Sequence, residues 1–166
     1  MRVTVAAVGR ARAAPEQALC DLYLERAGAL GSRLKFSKFD LLVVDTSRAQ
    51  SLDARMAEEA AKLMKHAGSS HLIALDERGS TMTSEAFARH LAKLRDRGRD
   101  LIFLIGGPDG LSPALKERAN DRLALSALTW PHLLVRAMLA EQLYRAMAIL
   151  SGHPYHRGQV TPSPKL

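Results

Sequence analysis

The chain has 166 residues, enough for one domain, with the 47% hydrophobic and 25% charged content of an ordinary globular protein. No apolar run approaches the ~18 residues of a membrane span, and an aromatic content of 5% argues against a base-stacking platform spread over a sheet. Twenty-four Lys and Arg against 17 Asp and Glu give a net charge of +7, which points to a polyanionic partner, against the plainer reading of a solvated basic surface.

In chain order, Arg2 to Val8 reads as a first strand and shows no signal-peptide cleavage site. Pro15 to Leu30 reads as a helix. The lone cysteine, Cys20, fits its apolar face as a core filler; it excludes an internal disulfide and a cysteine metal cluster, and suits a reducing, cytoplasmic compartment. Lys35 to Asp45 reads as a second strand. Ser51 to His66, with Leu52, Met56, Ala60, Leu63 and Met64 on one stripe, reads as a helix, and His71 to Leu75 as a strand ending in Asp76-Glu77-Arg78-Gly79. A helix with Ser84 as N-cap then runs to Arg97, with Phe87, Leu91 and Leu94 on one face. Leu101 to Ile105 reads as a strand buried on both faces, Pro113 to Asn120 as a short helix, and Arg122 to Leu128 as a short strand or extended segment. Pro131 starts a last helix that continues to Ser151. This βα alternation predicts an α/β fold, a mainly parallel sheet with helices on both faces. Gly158 to Leu166 has the composition of a frayed tail.

The most informative stretch is Leu101 to Leu111, LIFLIGGPDGL, where a buried strand runs into a glycine-rich turn. Gly106 and Gly107 can adopt positive φ and let a ligand lie against exposed amides, or can simply close a tight strand-to-helix turn. Two other segments follow predicted strands: the turn after Leu75-Asp76 and the run Leu125 to His132. If those strands are neighbours, the three converge on one cleft at the carboxyl ends, where open α/β sheets bind ligands. No GxxxxGK[ST] loop and no GxGxxG fingerprint is present, and small hydroxyls with backbone groups suit an adenine and ribose better than a triphosphate.

The segments LIGGPDGLSP and LALSALTWPH, the helix signature Arg136 to Ala146 and the HPYHR run at His153 to Arg157 together resemble the ribosomal RNA large subunit methyltransferase H family, of the SPOUT class. The resemblance extends from the first strand to Arg157, so residues 1–157 are expected to form one SPOUT domain, and the extension to Leu166 departs from the family pattern. It implies a C-terminal trefoil knot, which periodicity could not show. It also implies S-adenosylmethionine as cofactor and methylation of N3 of a pseudouridine in 23S ribosomal RNA, within the large subunit or the assembled ribosome, by a homodimer. Carried over by position, it sets the cofactor against Leu75, Gly106 and the run Leu125, Ser126, Ala127, Leu128, Thr129 and Trp130. Leu75, Leu125 and Leu128 can sandwich an adenine, or serve as core.

Methyl transfer to a ring nitrogen needs alignment of the nucleophile and a base for its proton. His156 is the candidate base, Tyr155 can stack on or hydrogen-bond the target base, and Arg157 can bind phosphate or developing negative charge. No metal ligand set is expected. On the last helix, Leu139, Leu143 and Met147 form an apolar stripe suited to a partner subunit, and Glu141 and Arg145 an i,i+4 ion pair. His132 serves as a cap or lies near the cofactor; Arg136 holds RNA phosphate or ties the knot to the helix. A non-catalytic RNA-binding or assembly factor would explain the charge but not three small-residue turns at strand ends. A small-molecule enzyme would explain the turns without the charge.

Overall fold

The structure, a computed structural model, describes residues 1–11 and 14–156; Arg157 and the predicted tail lie outside the described residues. The strands are β1 (Arg2–Val8), β2 (Lys38–Val44), β3 (His71–Ser80), β4 (Leu101–Ile105) and β5 (Asp121–Leu123). The helices are α1 (Pro15–Gly31), α2 (Leu52–Met64), α3 (Ser84–Asp96), α4 (Pro113–Arg118) and α5 (His132–Ser151). The five strands form one parallel sheet in the order β2-β1-β4-β3-β5.

Period-two alternation distributes each strand between two cores. Val3, Val5, Ala7, Leu101, Phe103 and Ile105 pack under α1, α3 and α5, with Cys20, Leu91 and Leu143 facing them. Ala6, Val8, Ile102 and Leu104 face the other way, against Leu63 of α2 and Leu115 of α4. Both faces of β4 are therefore covered, which is why its five residues are all apolar and buried.

The structure revises several boundaries. Lys35 lies outside β2, in a left-handed conformation (φ 64°) that ends a short 3-10 turn, and β2 begins at Lys38. The N-cap of α3 is Thr83, whose hydroxyl accepts from the Ala86 amide at 3.2 Å; Ser84 instead donates to Gln142 Oε1 of α5 at 2.9 Å. β3 does not stop at Leu75. It bulges, so that Leu123 pairs with both Leu75 and Ser80, and residues 76–79 loop out of the ladder. Conversely β5 stops at Leu123, well short of Leu128. Finally, Leu139, Leu143 and Met147 are fully buried within their own chain, where α5 packs on α1 and α3, so that stripe is core and offers no face to a partner.

Candidate functional site

Because β4, β3 and β5 are sheet neighbours, the three segments at their carboxyl ends meet. They enclose an open cleft of about 580 Å³, a volume ordinary for a small-molecule site. Leu75, Gly106, Leu125, Ser126, Leu128, Thr129 and Trp130 line it; Ala127 does not. Ile105, Leu123 and Val135 supply further apolar wall.

The run from Leu125 to Trp130 leaves the sheet because Leu123 is the last paired residue of the edge strand. Among the described residues, none of its backbone amides or carbonyls pairs with another backbone group. Ser126 fixes its shape instead: the Ser126 hydroxyl accepts from the Leu128 amide at 3.1 Å and from Trp130 Nε1 at 2.7 Å. Most of the loop's amides are thus free to bind a ligand. Leu128 is 66% exposed, far more than a core leucine would be.

Gly106 is required for a reason other than positive φ. An added Cβ there would lie 2.3 Å from the carbonyl carbon of Gly110, so Gly106 lets the turn close on itself. The positive φ in this turn belongs to Gly110, at 80°, and not to Gly106 or Gly107.

The loop-out of β3 brings a charged set to the rim that the sequence reading left without a role. Glu77 Oε2 accepts from the Thr129 hydroxyl at 2.5 Å and so joins the bulge to the cleft loop. Asp76 faces Lys116 Nζ at 3.1 Å and accepts from the Arg78 amide. Burial acts to raise its pKa, but these bonds outweigh it and hold the carboxyl below its ordinary value. The signal in sequence was the run of three charged residues, Asp76 to Arg78, at a strand end.

His132 opens α5 and lines the cleft; burial, then the nearby Arg136 charge, lowers its pKa. Arg136, 1% exposed, donates from Nη2 to the carbonyl oxygens of Val8 and Gly9 at 2.6 and 2.7 Å. It therefore ties α5 to the end of β1 and is out of reach of RNA phosphate.

Tyr155 and His156 stand apart from this cleft. After Gly152 (φ 69°) the chain reverses and runs back along α5. The Tyr155 hydroxyl donates to Glu141 Oε1 at 3.0 Å, beneath the Arg145 guanidinium, and burial together with Glu141 pushes its pKa well above the phenol range. Arg145 also donates to Glu141 at 2.5 Å, the i,i+4 pair expected from sequence. His156 Nε2 lies 2.9 Å from Glu85 Oε1, in the first turn of α3. The Glu85 carboxyl is held low by its own backbone amide, by Thr83 and by His156. Arg157, the third member of this group, lies outside the described residues.

A family described as "Predicted SPOUT methyltransferase" matches residues 1–156. A protein of Bradyrhizobium diazoefficiens named ribosomal RNA large subunit methyltransferase H is 50% identical over 159 residues, 95% of this chain and 99% of that one. Proteins with the same name from Nitrobacter winogradskyi and Rhizobium meliloti are 49% and 51% identical, each over 95% of this chain and at least 99% of their own length. Glycine-rich turn, cleft loop and terminal HPYHR run thus occur together in a chain that belongs to the SPOUT methyltransferase family, among the ribosomal RNA large subunit methyltransferases H.

Proposed function

We propose that this chain transfers a methyl group from S-adenosylmethionine to N3 of a pseudouridine in 23S ribosomal RNA, acting in the cytoplasm as a homodimer. The observation that carries the reading is the loop from Leu125 to Trp130, whose backbone groups make no backbone pairs among the described residues and which lines a mixed polar and apolar cleft at the strand ends. Such a loop suits an adenosyl group: Leu75, Leu125 and Leu128 line the cleft and supply apolar surface for a ring, and the free amides and carbonyls can bond its edge. The relatives' name supplies the substrate class, and the +7 charge suits it.

S-adenosylmethionine supplies, when bound, a methyl group already activated by the adjacent sulfonium. The chain's own residues have two tasks: to orient the acceptor nitrogen and to remove its proton. His156 is the base in this reading, Glu85 its orienting partner, and Tyr155 and Arg157 hold the nucleotide. Within one chain Tyr155 and His156 are bonded to Glu141 and Glu85 and do not line the cleft. This arrangement favours a homodimer in which the tail of one subunit completes the cleft of the other. The trefoil knot belongs to the same reading, supported by family membership.

The test is mass mapping of ribosomal RNA from cells with and without the chain, together with methyl transfer in vitro to free large subunits and to assembled ribosomes. A methylated pseudouridine that disappears with the chain and returns on adding the purified protein is the expected result. RNA binding without any methyl transfer would leave an assembly factor in its place.

A further inference from the structure

A second cluster of chemistry-bearing side chains lies away from the cleft, towards the amino ends of the strands. His71 opens β3, Asp121 opens β5 and His90 sits in the middle of α3. His71 Nε2 is 2.6 Å from Asp121 Oδ2, and His90 Nε2 is 3.3 Å from the same oxygen. One donor atom from each of the three lies within 4.8 Å of the others. With a rise of ~3.3 Å per residue along β3, His71 stands ~13 Å from Leu75 in the cleft.

Hydrogen bonding alone does not account for this cluster. The His71–Asp121 pair is satisfied, but His90 Nε2 is buried and, although 3.3 Å from the same carboxylate oxygen, makes no well-directed hydrogen bond among the described residues. Such an orphan calls for an explanation, and a missing ion is one of the ordinary ones. Three separate elements hold the donors in place. Asp121 is registered against Ile73, the Leu72 amide donates to Asn120 Oδ1 at 2.8 Å, and the His71 amide donates to the Asp100 carbonyl at 2.7 Å. The donors are thus held by paired strands and a packed helix before any ligand arrives.

The donor set selects the ligand. Bonds of ~2.0–2.1 Å at tetrahedral angles separate neighbouring donors by ~3.3 Å, so His90 already stands at the right distance from Asp121, and His71 must open slightly. Two imidazoles and a carboxylate suit zinc and its neighbours, whereas magnesium and calcium prefer oxygen donors throughout. Arg97 and Arg99 line the hollow beside His71, so bulk charge does not draw a cation here and coordination must. Asp121 is 37% exposed, which leaves a way in and a fourth position for water.

We propose that His71, His90 and Asp121 bind one divalent ion of the zinc class per chain, tying α3 and the edge strand β5 to β3. The ion's role is structural. It would pin the three-residue strand from which the cleft loop departs.

Untagged full-length protein, stripped with a chelator, is titrated with Zn²⁺ by calorimetry and with Co²⁺ by visible absorption. Expected are one ion per chain, a tetrahedral cobalt spectrum and a higher Tm with Zn²⁺, with no response to Mg²⁺. His90→Ala and His90→Gln should weaken Zn²⁺ binding by at least the ~10- to 100-fold that loss of an outer-shell partner costs. Asp121→Asn, on the exposed edge, serves if the histidine variants fail to fold by circular dichroism. Absence of stoichiometric uptake by the wild-type chain overturns the proposal, and so does uptake that folded variants leave unchanged.

Discussion

Gly106 lies so close to Gly110 that a Cβ on Gly106 would sit 2.3 Å from the Gly110 carbonyl carbon. The turn that ends β4 is therefore closed by backbone against backbone, and the space at Gly106 is taken by the protein before any ligand arrives. Gly106→Ala should cost about 1–3 kcal/mol through forced separation of the turn. Urea denaturation measures it, and an unchanged midpoint would contradict the geometry. Gly106→Val cannot serve as a clean probe of cofactor binding, since it would damage the turn as well.

Leu128 is the cleaner probe. It lines the cleft yet is 66% exposed, so the fold gains little from its side chain. Leu128→Ala should leave Tm within error while weakening S-adenosylmethionine by about 1–2 kcal/mol, roughly tenfold in Kd. Calorimetry on the two proteins decides it; equal affinities would remove Leu128 from the adenosyl site.

Arg136→Met tests whether the buried guanidinium is structural. The Val8 and Gly9 carbonyls would lose their donor, while relief of the guanidinium's own burial offsets part of the loss. A net destabilisation of about 1–3 kcal/mol is expected. RNA binding by the folded variant should be unchanged, whereas a selective loss of RNA affinity would restore the phosphate reading.

Cys20 should resist thiol reagents at neutral pH. It is fully buried, and burial first, then Asp21, pushes its pKa from 9.0 to about 11. Below pH 9 both folded and unfolded thiols are protonated and the group adds nothing to pH dependence. Between pH 9 and 11 only the unfolded form ionises, so stability falls as pH rises through that window. Labelling with and without denaturant checks the first point, and denaturation at pH 8 and 10.5 the second. Fast labelling of the native protein at pH 8 would show that the α1 core opens readily.

His156→Ala separates chemistry from binding. In the proposed site His156 meets the RNA base and not the cofactor, so S-adenosylmethionine affinity should hold while the methylation rate falls by ~10²- to 10⁴-fold, partly recovered at high pH. Mixing this variant with a cofactor-dead chain should restore part of the activity if subunits share sites. Wild-type single-turnover rates across pH 6 to 9 would make His156 a positioning group, and inactivity of every mixture would end the shared-site reading.

The sequence by itself determined the alternation of elements, the covered parallel sheet and which segments would form a cleft once the sheet order made their strands neighbours. Each rests on local periodicity: five apolar residues in β4 demand cover on both faces, and glycine-rich or small-residue segments after strands mark where backbone is exposed. The terminal motifs carried the family resemblance. What only the tertiary structure decided depends on contacts between residues far apart in the chain. The stripe Leu139, Leu143 and Met147 has the same spacing whether it meets a partner or α1, and only the packing shows it is core. Gly106 needs its missing side chain because of Gly110, a matter of closure and not of φ. The bulge that returns β3 to the sheet at Ser80 depends on its pairing with Leu123, and it is what brings Glu77 to Thr129. His71, His90 and Asp121 share no spacing that a sequence could advertise, because strand pairing and helix packing alone bring them together.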